Sequence, residues 1–398
     1  MPAEVQVGRS DGWLLNDRIR LIDPLRKSPA PAGLFYGYRA KMSRLSQISR
    51  ACTLALAIGL LHGAPTASAG TRYVDGISDQ SLPAWASSLA DGSFANLFAG
   101  AWVGQITLAR YVVQWNAMAQ ASNGPNADGD YRERFEAWLR DVDSLGLAPV
   151  LALTSYTGVH PASAGEYRAR LQQLLEEADD VGEPIGYVEA WNEPNNQGDV
   201  TAVNAAAIAN LANSVCERWR CQVIAGDLED TPLVTTYEHV YIRALDFAPA
   251  IWGIHPYYSV KAHDDATILR FEQALPNHGA GGQLWFTEIG AYYCTRGQVR
   301  GEARQAADVS YLEDTLIPAI APAHVFYYGL IAAYGAEVPC TASGGDDSEL
   351  YRADGQPRAA ASVILSASAD RPFLPGSDLS DGLLQLASAT PSGAGTPR

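Results

Sequence analysis

The chain has 398 residues, and 47% of them are hydrophobic, which excludes a disordered protein and allows one large domain with tails. Its formal net charge is -16, from 28 lysine and arginine residues against 44 aspartate and glutamate residues. This acidic balance argues against nucleic acids and anionic membranes as partners, and it also serves the solubility of an exported protein.

An apolar segment lies behind a short basic stretch near the N-terminus. Residues 42–50 begin with Met42 and carry two arginines, residues 51–61 are apolar, and Ala67-Ser68-Ala69 has the small residues of a cleavage site. This order predicts a secretory signal peptide at 42–69, with residues 1–41 as an upstream extension or a start assigned too early. A membrane span needs about 20 apolar residues, more than this segment offers. We therefore expect a secreted or periplasmic protein without membrane association after cleavage.

From residue 73 onward, short apolar runs alternate with amphipathic segments. Strands are predicted at 73–78, 105–113, 148–153, from 187, and at 222–227, 251–255, 284–290 and 324–329. Helices are predicted at 82–98, 131–145, 164–178, 200–219, 236–245, 266–275, 302–316 and 357–366. This alternation predicts an α/β fold, a (β/α)8 TIM barrel with a single catalytic domain at 70–370 and a loose tail at 371–398.

Polar residues stand at the ends of several predicted strands. Arg110 lies inside the second strand, and because burying a charge unpaired costs several kcal/mol, it needs a counter-charge within the barrel. Trp115 and Asn116 follow the same strand. Asn192 and Glu193 close the fourth strand beside a proline, and Glu288 closes the seventh strand before a glycine turn.

The sixth strand ends in His255-Pro256-Tyr257-Tyr258, where the proline takes the chain out of the sheet and turns the polar rings toward one rim. Trp191-Asn192-Glu193-Pro194, this motif and Trp285-Phe286-Thr287-Glu288-Ile289-Gly290 together resemble the acid/base and nucleophile strands of the clan A retaining glycoside hydrolases, which are (β/α)8 barrels. The resemblance extends over residues 73–366.

The resemblance implies a role for each matched residue. Glu193 is the acid/base, Glu288 is the nucleophile, and Arg110 and Tyr257 support the nucleophile, although a salt bridge between Arg110 and another acid stays open. Asn192 holds the sugar 2-hydroxyl, and His255 lines the subsite of the cleaved sugar. The eighth strand departs from the family, which usually has a stacking Trp at its end, and Tyr327 or Tyr328 takes that place here. Candidates for sugar stacking are Trp115, Tyr156, Trp191 and Tyr328, with Trp191 better suited to the core.

These roles predict a secreted hydrolase that cleaves poly- or oligosaccharides by double displacement, with two carboxyls about 5 to 5.5 Å apart. We expect no cofactor, no metal and a monomer. A catalytically inactive carbohydrate-binding or cell-envelope barrel remains the alternative. A metal-dependent hydrolase is disfavoured because the first strand has no His-x-His pattern.

Four cysteines remain once Cys52 is assigned to the signal peptide, and four cysteines permit three pairings. We favour Cys216 with Cys221, which flank a turn from helix to strand, and Cys294 with Cys340, which follow the seventh and eighth strands, neighbours in a closed barrel. A zinc site is disfavoured because no Cys-x2-Cys spacing occurs.

Overall fold

The structure is a computed structural model that describes residues 74–79, 106–119, 131–156, 158–196, 200–276, 282–330, 340, 346–352 and 356–369. The chain divides into the units Met1–Ala69 and Gly70–Arg398, and all described residues belong to the second. Several predicted segments lie outside the described residues, namely the extension 1–41, the signal peptide 42–69, the helix 82–98 and the tail 371–398.

Parallel strands in the described part of the chain form a closed barrel, which confirms the predicted fold class. The strands are β1 (Gly76–Ser78), β2 (Leu108–Gln114), β3 (Ala148–Thr154), β4 (Tyr187–Glu189), β5 (Gln222–Glu229), β6 (Ile251–His255), β7 (Gln283–Ile289) and β8 (His324–Tyr328). Their order around the barrel is β1-β8-β7-β6-β5-β4-β3-β2. All carboxyl ends therefore meet at one face, where residues that end different strands come together.

Helices follow the strands in the alternating order that the sequence predicted. They are α1 (Tyr131–Ser144), α2 (Ala164–Asp180), α3 (Ala202–Trp219), α4 (Val234–Ala244), α5 (Tyr257–Ala262), α6 (Ala266–Ala274), α7 (Glu302–Tyr311), α8 (Ile317–Ile320) and α9 (Ala359–Ala369). In α1 the buried residues Phe135, Trp138, Leu139 and Val142 recur at helical spacing and give the helix one apolar face. None of the described helices is long and apolar enough to span a membrane.

Local sequence sets several helix ends. The Ser163 side chain accepts a hydrogen bond from the Glu166 backbone N–H at 3.1 Å, and the Glu166 carboxylate accepts one from the Ala162 N–H at 2.8 Å, so α2 begins with reciprocal capping. The predicted helix 302–316 is interrupted: after α7 a π-helical turn, Leu312–Leu316, leads into α8.

The barrel interior is divided into an apolar layer and a polar layer. The apolar layer is a cluster of buried side chains from six strands: Leu108, Val150, Ile224, Ile251, Trp285 and Phe326. Side chains alternate faces along a strand, so the residue two positions after Leu108, which is Arg110, also points inward. The polar layer consists of Arg110, Glu189, Asp227, His255 and Glu288 and lies toward the carboxyl ends of the strands.

Two disulfides match the predicted pairing. Cys216 and Cys221 are bridged with their Cα atoms 4.5 Å apart, at the turn between α3 and β5. Cys294 and Cys340 are bridged with their Cα atoms 5.8 Å apart, within the range that disulfide geometry requires. Cys294 follows β7 and belongs to a short hairpin of Cys294–Thr295 with Gln298–Val299, so this bridge ties down a loop at the carboxyl face of the barrel.

Candidate active site

Arg110 is the centre of the polar layer. Its side chain is fully buried, and its guanidinium donates hydrogen bonds to Glu189 at 2.8 Å and to Ser78 at 2.9 Å. It also donates to Glu288 at 2.6 Å and to Asp227 at 3.1 Å. Arg110 therefore pairs both with the predicted nucleophile and with other acids of the barrel. Contact with Glu288 and a salt bridge to another acid, the two alternatives that the sequence left open, are both present.

Glu288 ends β7 and is 7% exposed. One carboxylate oxygen accepts from Arg110 at 2.6 Å, and the other accepts from the hydroxyl of Tyr257 at 2.9 Å. Burial raises the pKa of Glu288, and the charges of His255 and Arg110 offset only part of that rise. The carboxyl is thus fixed at both oxygens in a desolvated site.

Glu193 follows β4 in a left-handed conformation with φ of 44°. Its Oε1 lies 2.8 Å from Nδ1 of His255, and its Oε2 accepts from the Asn196 amide at 3.3 Å. Burial alone would raise the pKa of Glu193, but the hydrogen bond and charge of His255 outweigh it and hold this pKa below its ordinary value.

The two glutamates face each other across the mouth of the barrel. A carboxylate oxygen of Glu193, a carboxylate oxygen of Glu288 and a ring nitrogen of His255 all lie within 4.8 Å of one another. Separations of about 5 to 5.5 Å between carboxyl groups accompany attack by one of them on a sugar, whereas about 6.5 Å or more leaves room for a water.

His255 ends β6 and is fully buried between two carboxylates. Its Nε2 lies 2.7 Å from Asp227, and its Nδ1 lies 2.8 Å from Glu193. Burial alone would lower the pKa of His255, but the charges of Asp227 and Glu288 outweigh burial and raise it well above its ordinary value. The proton in the contact between His255 and Glu193 belongs to the pair rather than to either residue.

Sequence reasoning missed Glu189 and Asp227, which complete the polar layer. Glu189 lies on β4, where Val188 is fully buried beside it, and both Glu189 and Asp227 are buried and contact Arg110. A charged residue within an apolar strand is the same signal that singled out Arg110, so Glu189 was available to that reasoning. For Asp227 the signal is the preceding Gly226, since a glycine inside a strand marks a bulge.

Among the described residues, two groups at the carboxyl face of the barrel have the residue types of metal ligands: Glu189, Asp227 and His255, and Glu193, His255 and Glu288. Arg110 already donates to Glu189, Asp227 and Glu288. Both ring nitrogens of His255 lie within 2.8 Å of carboxylate oxygens. The layer is arranged as an internal ion network.

The aromatic residues singled out for sugar contacts differ in exposure. Tyr328 is half-buried beside Glu288, whereas Tyr327 is buried and donates its hydroxyl to the Ser348 carbonyl at 2.9 Å, so Tyr328 is the eighth-strand residue that faces the site. Tyr156 is 52% exposed. Trp191 is buried, as its alternative core assignment implied, and its ring lies 5.4 Å from that of His160.

Sugar stacking by Trp115 is a wrong prediction. Its ring is 1% exposed and donates its Nε1–H to the Val159 carbonyl at 2.6 Å, so it supports a loop. Its position directly after β2 turns it back into the core. Asn116 accepts a hydrogen bond from Gln114 at 2.8 Å. Tyr258 is exposed, whereas Tyr257 points at Glu288, so only the first tyrosine after Pro256 contributes to the site.

No protein-family model matches the chain, and no curated protein sequence matches it. Solved structures do match its fold. A monomeric β-xylosidase from Caulobacter crescentus CB15 shares 14% identity over 77% of this chain and 70% of that chain, with a TM-score of 0.53. The GH53 catalytic domain from Ignisphaera aggregans shares 13% identity over 76% of this chain and 98% of that domain, with a TM-score of 0.53.

An exo-β-1,4-mannosidase from Opitutaceae bacterium strain TAV5 shares 14% identity over 77% of this chain, with a TM-score of 0.50, but the match spans only 62% of that enzyme. At such identities these likenesses show the fold, a (β/α)8 barrel also found in glycoside hydrolases. The chemistry of this chain has to be argued from its own side chains.

Proposed function

We propose that this chain is a glycoside hydrolase that cleaves O-glycosidic bonds with retention, with Glu193 as acid/base and Glu288 as nucleophile. The observation that carries the proposal is the pair of strand-end carboxyls with oxygens within 4.8 Å of each other at the carboxyl face of the barrel. Carboxyls this close can both reach one glycosidic bond, and the assignment of retention draws on the matched motif and on the contacts that hold Glu288.

Glu288 is suited to nucleophilic attack because both its oxygens are held. Arg110 and the Tyr257 hydroxyl donate to them at 2.6 Å and 2.9 Å, which stabilises the carboxylate and fixes its direction. In the first step a Glu288 oxygen forms an ester bond to the anomeric carbon as the bond to the leaving oxygen breaks. In the second step water attacks the same carbon and releases Glu288.

Glu193 exchanges a proton with its surroundings through His255. The 2.8 Å contact serves both an ionised Glu193 with a doubly protonated His255 and a protonated Glu193 with a neutral His255. From the second state Glu193 protonates the leaving oxygen, and as a carboxylate it then takes a proton from the attacking water. The unliganded site favours the first state, so the role of Glu193 is assigned from its strand and motif rather than from its resting protonation.

Asn192 is assigned to the 2-hydroxyl of the cleaved sugar. Its Oδ1 accepts from Arg110 at 2.7 Å, which fixes the amide beside the nucleophile. A hydrogen bond to the 2-hydroxyl strengthens as the sugar gains oxocarbenium character. Tyr328, half-buried beside Glu288, offers a ring face for the same sugar.

The substrate class in this proposal is a poly- or oligosaccharide, and the protein acts outside the cytoplasm as a monomer without a cofactor. Two disulfides support an oxidising compartment. The exported state rests on the signal-peptide pattern at 42–69, and N-terminal sequencing of secreted protein is expected to begin near Gly70. Recovery of soluble cytoplasmic protein with an intact Met1 would contradict export.

A mechanism-based fluorosugar tests the proposal. The electronegative fluorine slows hydrolysis of the glycosyl-enzyme, so a panel of activated 2-deoxy-2-fluoroglycosides is expected to label one residue, Glu288, identified by peptide mass spectrometry. Glu238→Gln, which alters a buried carboxyl in α4, is the matched control and is expected to label like the wild type. Failure of the whole panel, together with no turnover of chromogenic glycosides or polysaccharides, would favour the inactive carbohydrate-binding barrel.

A further inference from the structure

We propose that Asp227 is a positioning residue for Glu193: it fixes His255 so that Nε2 carries a proton and Nδ1 faces the acid/base carboxyl. This inference rests on the proposed function for its catalytic consequence. The protonation of Nε2, on which the inference depends, can be measured whether or not the protein is a glycosidase.

Both carboxylate oxygens of Asp227 are engaged. Oδ1 lies 2.7 Å from Nε2 of His255 and accepts from the Thr287 hydroxyl at 2.8 Å, while Oδ2 accepts from Arg110 at 3.1 Å. The backbone carbonyl of Asp227 accepts the N–H of Glu193 at 3.0 Å. One residue therefore contacts both the backbone of Glu193 and the imidazole that faces its side chain.

A bulge in β5 places Asp227 in this position. The pairing of β5 with β6 shifts register between Gly226 and Leu228, and both Gly226 and Asp227 are left-handed, with φ of 89° and 53°. Ile224 lies in the apolar layer inside the barrel, whereas Leu228 packs in the outer core, so the bulge reverses the alternation and turns Asp227 inward.

The bulge has a conformational cost. A left-handed aspartate is strained and persists where the surroundings hold it in place. Room for the bulge is limited, since a Cβ added to Gly226 would lie 3.0 Å from the Gly253 carbonyl. Glu193, the residue that Asp227 holds through its carbonyl, is also left-handed. Two left-handed residues joined by a hydrogen bond at the mouth of the barrel fit the clustering of backbone strain at active sites.

Asp227 carries the negative charge that orients the ring. Burial raises the pKa of Glu189 well above its ordinary value, and the nearby charge of Asp227 adds to that rise. Burial alone would also raise the pKa of Asp227, but the charges of His255 and Arg110 hold it below its ordinary value. An ionised carboxylate only accepts hydrogen bonds, and therefore Nε2 must be the donor.

Other titratable groups around this contact lie on several elements. They are Arg110 on β2, Glu189 on β4, Glu229 on β5, Glu288 on β7, Tyr241 on α4 and Tyr257 on α5. Burial raises the pKa of Glu229 to about 7. The tyrosines stay neutral because burial raises their pKa values. Arg110 is fixed by several carboxylates, so Asp227 is the group whose charge sets the tautomer of His255.

Substitution of Asp227 by asparagine removes the charge of the side chain and keeps its shape. In Asp227→Asn the amide NH2 can donate to Nε2, which moves the ring proton to Nδ1 and removes the acceptor that a protonated Glu193 needs. The protonation of each ring nitrogen of His255 is measured by 15N NMR of histidine-labelled protein. The chain has seven histidines, and the signal that disappears in His255→Asn is the signal of His255. We expect Nε2 to be protonated in the wild type at all pH values where the protein is folded, and the imidazolium to lose its proton at lower pH in Asp227→Asn.

The kinetic readout uses leaving groups. For glycosides with poor leaving groups, kcat/KM of Asp227→Asn is expected to fall by about 10²-fold or more, and for a dinitrophenyl glycoside by less than about tenfold, because only the former needs a proton from Glu193. Glu238→Gln is the control of matched chemistry and is expected to behave like the wild type with both substrates. Equal losses for both leaving groups, or no loss, would overturn the proposal.

The two readouts keep the proposals apart. An unprotonated Nε2 in wild-type His255 would overturn the assignment of Asp227. This measurement needs no variant of Asp227, so it still tests the proposal if Asp227→Asn does not fold. Absence of glycosidase activity in the wild type would remove the proposed function, while the 15N result would still decide the role of Asp227 toward His255.

Discussion

The apolar and polar layers of the barrel interior share the strands β2, β5, β6 and β7, and both are buried, yet they are stabilised in different ways. In the apolar layer, side chains such as Leu108 and Phe326 are buried through contacts that add up individually. In the polar layer, Arg110 alone donates to three carboxyl groups, so loss of one member of the layer leaves the others without a partner. Burial alone thus says little about how a position tolerates change. What matters is whether its partners are satisfied without it.

The largest expected effect is on catalysis, where the polar layer is most sensitive. Glu288→Ala is expected to lower kcat by about 10⁴-fold or more, because the group that bonds to the anomeric carbon is lost. Azide is expected to restore turnover and give an azide product of inverted configuration, determined by NMR.

Glu193→Ala is the matched partner of that experiment. Its intermediate is expected to form from an activated aryl glycoside and then to stall, and azide is expected to release a product of retained configuration. If Glu193→Ala gave the inverted product and Glu288→Ala the retained one, the two roles would be exchanged. Unchanged rates in both variants would refute catalysis by this pair.

Removal of the central cation is expected to have the next largest effect, on stability. Arg110→Met leaves several buried carboxyls without their counter-charge and is expected to lower the free energy of unfolding by about 3–5 kcal/mol near neutral pH. Urea denaturation measures the loss, which is expected to shrink in acid as the carboxyls become protonated.

Leu108→Met changes the apolar layer two residues earlier on the same strand and is the control. A volume-conserving swap of this kind is expected to cost less than about 1.5 kcal/mol, with no pH dependence. Similar losses in Arg110→Met and Leu108→Met would remove the distinction between the layers.

Glu238 sharpens the comparison because it is a buried carboxyl without a cation. It is fully buried in α4, and neither oxygen has a hydrogen-bond partner among the described residues. Burial raises its pKa to about 8. The folded protein therefore binds this proton more tightly than the unfolded chain, and the stabilisation is complete below the unfolded pKa and is lost as pH rises toward 8.

Glu238→Gln cannot ionise and is expected to escape this loss. The difference in unfolding free energy between the wild type and Glu238→Gln is expected to move in favour of the variant by about 1 kcal/mol per pH unit between roughly pH 5 and 8. Urea titrations at a series of pH values measure it. A constant difference across this range would show that the carboxyl is solvated or paired in solution.

The smallest expected effect lies in the apolar layer. Ile224→Val deletes one methylene from β5, below the bulge that carries Asp227, and is expected to cost about 0.5–1.5 kcal/mol. Activity is expected to stay within about twofold of the wild type, because the layer above is unchanged. A large loss of activity would mean that packing below the bulge controls the position of Asp227.

Much of the fold followed from local sequence. The short apolar strands, the amphipathic helices and the polar residues that end β4, β6 and β7 all depend on neighbouring residues, and β6 was predicted with its observed bounds of Ile251 and His255. The pairing of Cys294 with Cys340 followed from the closed barrel. Motif and strand position also predicted Arg110, Glu193 and Glu288 as site residues, and the structure places them at one face of the barrel.

Contacts between distant strands were decided only by the tertiary structure. Gly226 in the sequence indicates that β5 can bulge, but whether Asp227 then turns inward depends on the register of β5 against β6. Likewise, Trp115 was predicted at the sugar and is buried instead, and Tyr328 rather than Tyr327 faces Glu288. The face that a strand residue presents changes with a shift of one position, and that shift is fixed by hydrogen bonds to another strand, which no local pattern records.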